Sequence, residues 1–315
     1  MHPAIVILTI PVAIFGIIGN SLVIISIFQR RRSLLTSNYY FLVLHLAICD
    51  GIYSALHFVY LMSQLINKNV AHHETFCLVI ETGYMFAETG SLMMLIISIL
   101  RYRATVYPLK SPISKRRMKV FCAMAYAVPF ILGYAMSIPS CVNINDKFVT
   151  RKLQGYLIIF GHCFLATAAM AVIYYKVIKE LYIQKNIFQI SRNTNEIDSS
   201  FSKQRYWRNH KIAFVCILTV IFYAIGNIPI AISFFVRMNK YYSSSILYDI
   251  TRLLRIFATH AVNPLIYGLL DKKLLSFWRN CRKKRANVML EAPIDRKSTR
   301  LNSSHRSLSR MPSSA

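Results

Sequence analysis

Few residues in this 315-residue chain have chemistry to offer, and they stand singly inside long apolar runs. Asn20, Asp50, Arg101, His260 and Asn263 each interrupt a stretch of aliphatic and aromatic side chains, as do Glu81, Glu88, Arg252 and Arg255. No nucleophile-and-base pair, matched set of metal ligands or glycine-rich phosphate loop accompanies them, so the sequence is not read as an enzyme. What such residues can do is pair and hydrogen bond where the dielectric is low. A polar group inside hydrocarbon costs about 2.5–3.5 kcal/mol on insertion scales. Each one therefore marks a contact that the fold has to make.

The runs that must position them are long. Hydrophobic residues make up 55% of the chain and charged residues 16%, against about 25% charged in a soluble domain. Most apolar blocks can cross roughly 30 Å of hydrocarbon as a helix. Hydropathy predicts seven helices, at about 3–28, 39–66, 76–103, 118–139, 153–182, 209–237 and 246–270. The formal net charge of +26 invites a nucleic-acid reading. Of the 38 Lys and Arg, however, 30 fall on one set of alternate loops plus the C-terminal tail, and eight on the other side. This is the asymmetry that orients membrane helices. It excludes nucleic acid as the partner and puts the basic side in the cytoplasm, with the N-terminus outside. The first run, Ile5 to Phe28, is too long for the core of a cleavable signal and ends in Arg30-Arg31-Arg32.

Between spans five and six, residues 183–208 are polar and rich in Asn and Ser, which predicts a flexible loop. After span seven, Leu274, Leu275, Phe277 and Trp278 alternate with basic residues at helical spacing. That pattern predicts a short amphipathic helix over 271–281, lying on the cytoplasmic face of the membrane lipid. Trp207 and Trp278 fall at the predicted cytoplasmic interface. Cys281 is a candidate for palmitoylation, with an unmodified juxtamembrane cysteine as the other reading. Residues 282–315 form a cytoplasmic tail. Its last twenty residues, 296–315, differ in composition from the rest and are either a Ser-rich phosphorylatable tail or a stretch not native to the chain; fold reasoning leaves them out.

The intramembrane polar residues fall into a recognisable set. It comprises Gly19-Asn20, Leu46-Ala47-Ile48-Cys49-Asp50, Arg101-Tyr102 followed by Pro108-Leu109, and Asn263-Pro264-Leu265-Ile266-Tyr267. In this order and on these spans the set resembles the rhodopsin-like (class A) G-protein-coupled receptors over about 1–281, as a divergent, orphan-like member. The resemblance implies an all-α seven-transmembrane helix bundle in the plasma membrane and no resident cofactor. Its implied partners are an extracellular small-molecule or peptide ligand and, inside, a heterotrimeric G protein and arrestin. It also implies a disulfide between Cys77 and Cys141, although Cys77 lies 24 residues before Arg101, one fewer than usual. Arg101, Tyr102, Tyr267 and a tyrosine of span five (Tyr174 or Tyr175) would line the cytoplasmic cavity. Pro229 and Pro264 each remove a backbone hydrogen bond and predict kinks in spans six and seven. Asn20 stands closer to the first residue than the family usually has it, which suggests that the start lies upstream.

The departures matter as much. Leu100 and Asn209 stand where the family usually places the carboxylates that hold the arginine of span three. Either basal signalling is raised, or other contacts hold Arg101. Asn227, in Tyr223-Ala224-Ile225-Gly226-Asn227-Ile228-Pro229, replaces the tryptophan that often touches ligand. At the family's sodium site Asp50 and Asn263 remain, but Gly90 brings no hydroxyl. His260 then either takes the place of the ion beside Asp50 or bonds a neighbouring backbone. Gly83 stands where aminergic receptors carry an aspartate, which disfavours an amine. No lysine occurs between Tyr241 and Asp271, which disfavours retinal. Arg252, eleven residues before Asn263, lies 20° from the same face at 100° per residue. It is either an anchor for an acidic ligand or a structural partner of Glu81 or Asp249. A polytopic transporter or channel, and a decoy that binds without coupling, are the alternatives to a signalling receptor.

Overall fold

A membrane leaves a backbone little choice, because every N–H and C=O must be satisfied within its own segment or a closed barrel. The computed structural model describes residues 2–66, 74–142, 165–193, 199–238 and 245–270, and no strand occurs among them. They form α1 (Pro3–Gln29), α2 (Arg31–Leu34), α3 (Asn38–Ile66), α4 (Glu74–Val106), α5 (Lys115–Val142), α6 (Thr167–Asn193) and α7 (Ser199–Met238). Then come α8 (Ser245–Arg255), a π-helical turn (Ile256–Ala261) and α9 (Asn263–Leu270). The chain divides into two compact units, Met1–Leu275 and Ser276–Ala315. The second unit lies outside the described residues, as do the expected surface helix 271–281, Cys281 and the tail.

Among the described residues, five helices are long and apolar enough to cross a membrane: α1, α3, α4, α5 and α7. They are the first four expected spans and the sixth. The start of the fifth, 153–164, lies outside the described residues, and α6 is its continuation. The seventh is not one helix but three pieces, of 11, 6 and 8 residues.

Hydrocarbon reverses the usual amphipathic pattern. On α7, Phe214, Ile217, Ile221, Ile225, Ile228 and Ile232 are all exposed, and their spacing of three and four puts them on one face. The opposite face buries Val215, Cys216, Thr219, Tyr223 and Asn227. Apolar outside and mixed inside is the arrangement of a helix solvated by lipid.

Around the bundle α1 packs on α3, α3 on α4, α4 on α5 and α6, α6 on α7, and α7 on α8. The π-helical turn closes the ring against α1, α3 and α7. Two glycines permit that closure. A Cβ on Gly19 would lie 3.1 Å from Pro264 Cγ, and one on Gly226 only 2.5 Å from Thr259 Cγ2. Cys77, in the first turn of α4, is disulfide-bonded to Cys141 in the last turn of α5.

Two expectations need correction. Within segment 183–208 the described residues, 183–193 and 199–208, are helical, since α6 continues to Asn193 and α7 begins at Ser199. No glycine or proline occurs in 162–225, so polar composition alone met nothing to stop either helix. Pro264 does not kink a continuous helix either. The break precedes it at Val262, whose N–H bonds Phe257 O at 3.0 Å in the π pattern. Pro264 then falls in the first turn of α9, where a missing N–H costs nothing.

Candidate functional site

Asp50 is the centre of the buried polar network. It is 1% exposed, and both its oxygens are engaged from the seventh span. His260 Nδ1 lies 2.7 Å from Asp50 Oδ1, within hydrogen-bond distance. Asn263 Nδ2 donates to Asp50 Oδ2 at 2.8 Å and to Thr259 O at 2.6 Å. Asn20 Nδ2 donates to Gly16 O at 2.9 Å and to His260 O at 3.3 Å. The π-helical turn matters here, because it carries His260 and wide turns inside α-helices are frequent at functional sites. Gly90 comes close: a Cβ there would sit 3.2 Å from Asp50 Oδ1. The four polar residues expected to meet, Asn20, Asp50, His260 and Asn263, are thus brought together.

From Asp50 a stripe of rings climbs α3 toward the disulfide end. Tyr53, His57 and Tyr60 follow at spacings of three, four and three, on one helix face. Tyr53 packs 4.2 Å from the His260 ring and stacks on His57 at 5.7 Å. His57 lies 5.8 Å from Tyr60. Arg252 tops the series, with its guanidinium 5.0 Å from the Tyr60 ring centre and 5.9 Å from that of Tyr248. Its Nη1 donates to Tyr60 Oη at 3.4 Å.

Arg255, one turn on, is placed differently. Its Nη2 meets Glu88 Oε1 at 3.1 Å, in a pair whose side chains are 7% and 12% exposed. Asp249 accepts a hydrogen bond from the His2 backbone at 2.8 Å. Arg252 and Asn263 both meet α3, at Tyr60 and at Asp50. Gly83 is buried, and a Cβ there would face Leu56 and Tyr53 of α3. Asn227 is 1% exposed and its Nδ2 bonds Tyr223 O at 3.0 Å, one turn back in α7.

At the far end of α4, Arg101 reaches both α3 and α7. Its Nη2 donates to Tyr39 Oη at 3.1 Å, and the guanidinium stands 5.6 Å from the same ring. Its Nη1 reaches Cys216 Sγ of α7 at 3.9 Å. Tyr174 is 2% exposed and Tyr175 66%, so of the two tyrosines it is Tyr174 that faces the bundle, near Arg101, Cys216 and Tyr39. Tyr102 makes an edge contact with Tyr107 at 5.8 Å. The side chains of Tyr267 and Asn209 lie outside the described residues.

The profile of the 7 transmembrane receptor (rhodopsin family) matches residues 19–267. The chain belongs to this family. The receptor aligns with the octopamine receptor beta-2R of Chilo suppressalis at 28% identity over 144 residues, 45% of the chain and 36% of that protein. With melanopsin-B of Xenopus laevis it is 25% identical over 275 residues, 82% of the chain and 51% of that protein. With the neuropeptide S receptor of Macaca mulatta it is 23% identical over 294 residues, 83% of the chain and 75% of that protein. The chain therefore spans about a third of the first relative's length and about half of the second's. It is a multi-pass membrane protein of a receptor family, not an enzyme.

Sequence reading missed three features of this receptor. The ring stripe Tyr53–His57–Tyr60 was visible as spacing but passes for ordinary core. Tyr39 and Cys216 lack any motif. Tyr126 of α5 lies 3.2 Å from His45 Nδ1 and 3.3 Å from Cys49 Sγ. A phenol at that spot could have been found only by knowing which faces of α3 and α5 meet.

Proposed function

We propose that this receptor converts the binding of an extracellular ligand at its disulfide end into activation of a heterotrimeric G protein at its Arg101 end. The observation that carries the reading is the position of Arg101. It bridges α3 through Tyr39 and α7 through Cys216, closing the end where a transducer helix would insert. The Lys and Arg asymmetry supports a cytoplasmic location for that end in the plasma membrane, and arrestin would use the same opening.

Opening requires a bundle with two packings and a ligand that prefers one of them. The seventh span, broken at Val262 and widened over Ile256–Ala261, supplies the deformable element. His260 takes the role that an ion plays elsewhere in the family. Both Asp50 oxygens already accept from nitrogen donors, and Gly90 offers no hydroxyl, so the residues present do not fit sodium. Agonist affinity is accordingly insensitive to sodium in the wild type, and sensitivity emerges in His260→Ser. The reverse pattern would sink this part of the reading. Octopamine and retinal do not follow from the relatives, since Gly83 brings no carboxylate and span seven no lysine.

The test is G-protein dissociation and second-messenger output in cells, wild type against Arg101→Ala, at matched surface expression. A ligand-independent signal in the wild type, lost in the variant, is the expected result. Silence in the wild type and in Tyr39→Phe alike would favour a receptor that binds without coupling.

A further inference from the structure

Two arginines one turn apart on α8 have been treated differently by the fold. Arg255 has its counter-ion in Glu88. Arg252 has none among the described residues: its polar contact is with the phenol of Tyr60, and it lies over the rings of Tyr60 and Tyr248. A cation held in the bundle among neutral rings is favourable only in part, because ring faces offset a fraction of what desolvation costs. Beside it, His57 is 6% exposed, and its Nε2 is buried without a hydrogen-bond partner among the described residues.

We infer that Arg252, with Tyr60, Tyr248 and His57, forms a recognition site for an anionic ligand, a carboxylate carried on a planar aromatic group. The carboxylate takes two parallel N–H donors of the guanidinium, a geometry that arginine matches and lysine does not. Nε2 of His57 supplies a further polar contact, and the tyrosine rings pack against the aromatic part. Two of the carboxylates on this helix and on α4 are already committed, Asp249 to the His2 backbone and Glu88 to Arg255. The ligand brings a counter-charge. This deepens the receptor reading by naming the ligand class, and it rests on that reading for its physiological meaning.

The site also has a route to the switch. Binding draws Arg252 off Tyr60, and from Tyr60 the rings of His57, Tyr53 and His260 lead without a gap to Asp50.

The experiment measures the thermal unfolding midpoint of the purified full chain with three probes: 3-phenylpropionate, its uncharged amide, and 2-phenylethylamine. Each is added at about 10 mM, the range that fragment-sized ligands require. Stabilisation by mass action is expected from the carboxylate alone. Arg252→Gln abolishes the shift, while Arg252→Lys keeps the charge, loses the fork and retains a smaller one. Tyr60→Phe, which preserves the ring and removes the acceptor that competes for Arg252, enlarges the shift; Arg252→Lys serves if Arg252→Gln does not fold. Equal shifts from acid and amide, an undiminished shift in Arg252→Gln, or no shift from the carboxylate overturns the proposal. No G protein enters this assay, so its failure leaves the Arg101→Ala signalling test standing, and silence in that test leaves this one standing.

Discussion

Asp50 and Arg101 are both ionisable side chains inside the same bundle, yet the fold treats them in opposite ways. Asp50 is fully enclosed, and two nitrogen donors from the seventh span occupy its two oxygens. Arg101 is half-buried, and its contacts include a phenol, a thiol and an aromatic ring. The first arrangement is a charge-assisted network whose members leave one another unpaired if any is removed. The second gives up the Coulomb attraction that a carboxylate at position 100 or 209 would add. The difference locates rigidity near the membrane centre and looseness at the end where the transducer would enter.

That comparison can be broken, beginning where the effect is largest. Asp50→Ala strands the His260 imidazole and the Asn263 amide, and removing one partner of a buried pair costs about 3–5 kcal/mol. The unfolding midpoint of the purified receptor should fall by several degrees more than in any Arg101 variant. An equal fall in both would erase the distinction. Gly226→Ala drives a methyl against Thr259, whose carbonyl anchors Asn263; overpacking of this kind costs about 1–3 kcal/mol. A midpoint unchanged by that substitution would mean that α7 and the π turn are free to separate.

Smaller effects sharpen the other side. Tyr39→Phe removes a hydrogen bond from a charged donor, about 1–2 kcal/mol, so basal G-protein activation should rise roughly 5- to 30-fold if the closed packing needs it. No change would show that Tyr39 is a bystander. Cys216→Ala removes only a weak acceptor at 3.9 Å, and about a twofold rise is the most to expect from the same assay. Leu100→Asp should lower basal output by restoring a carboxylate beside Arg101. A rise there would place the arginine in the active packing instead.

Much of this was legible in the chain. The spans follow from apolar length, and Asn20, Asp50 and Asn263 sit on known faces of regular helices. Segment 183–208 was misjudged because polar composition resembles a loop, while helix termination needs glycine, proline or a cap. His260 reaches Asp50 at 2.7 Å from within a π-helical turn. That Arg252 lies near the face of Asn263 was legible as an angle; that it meets the ring of Tyr60 was not.

By itself, the sequence determined the medium and the inventory: helices solvated by lipid, and a short set of polar residues that must find partners inside them. Apolar periodicity and the cost of burying charge act locally, so a reader of the chain can apply both. Only the tertiary structure decided the pairing, giving Arg255 to Glu88, leaving Arg252 over tyrosine rings, and setting Tyr39 and Cys216 against Arg101. Partners lie on helices far apart in sequence, and which faces meet depends on packing details, such as Gly19 against Pro264 and Gly226 against Thr259, that no single helix contains.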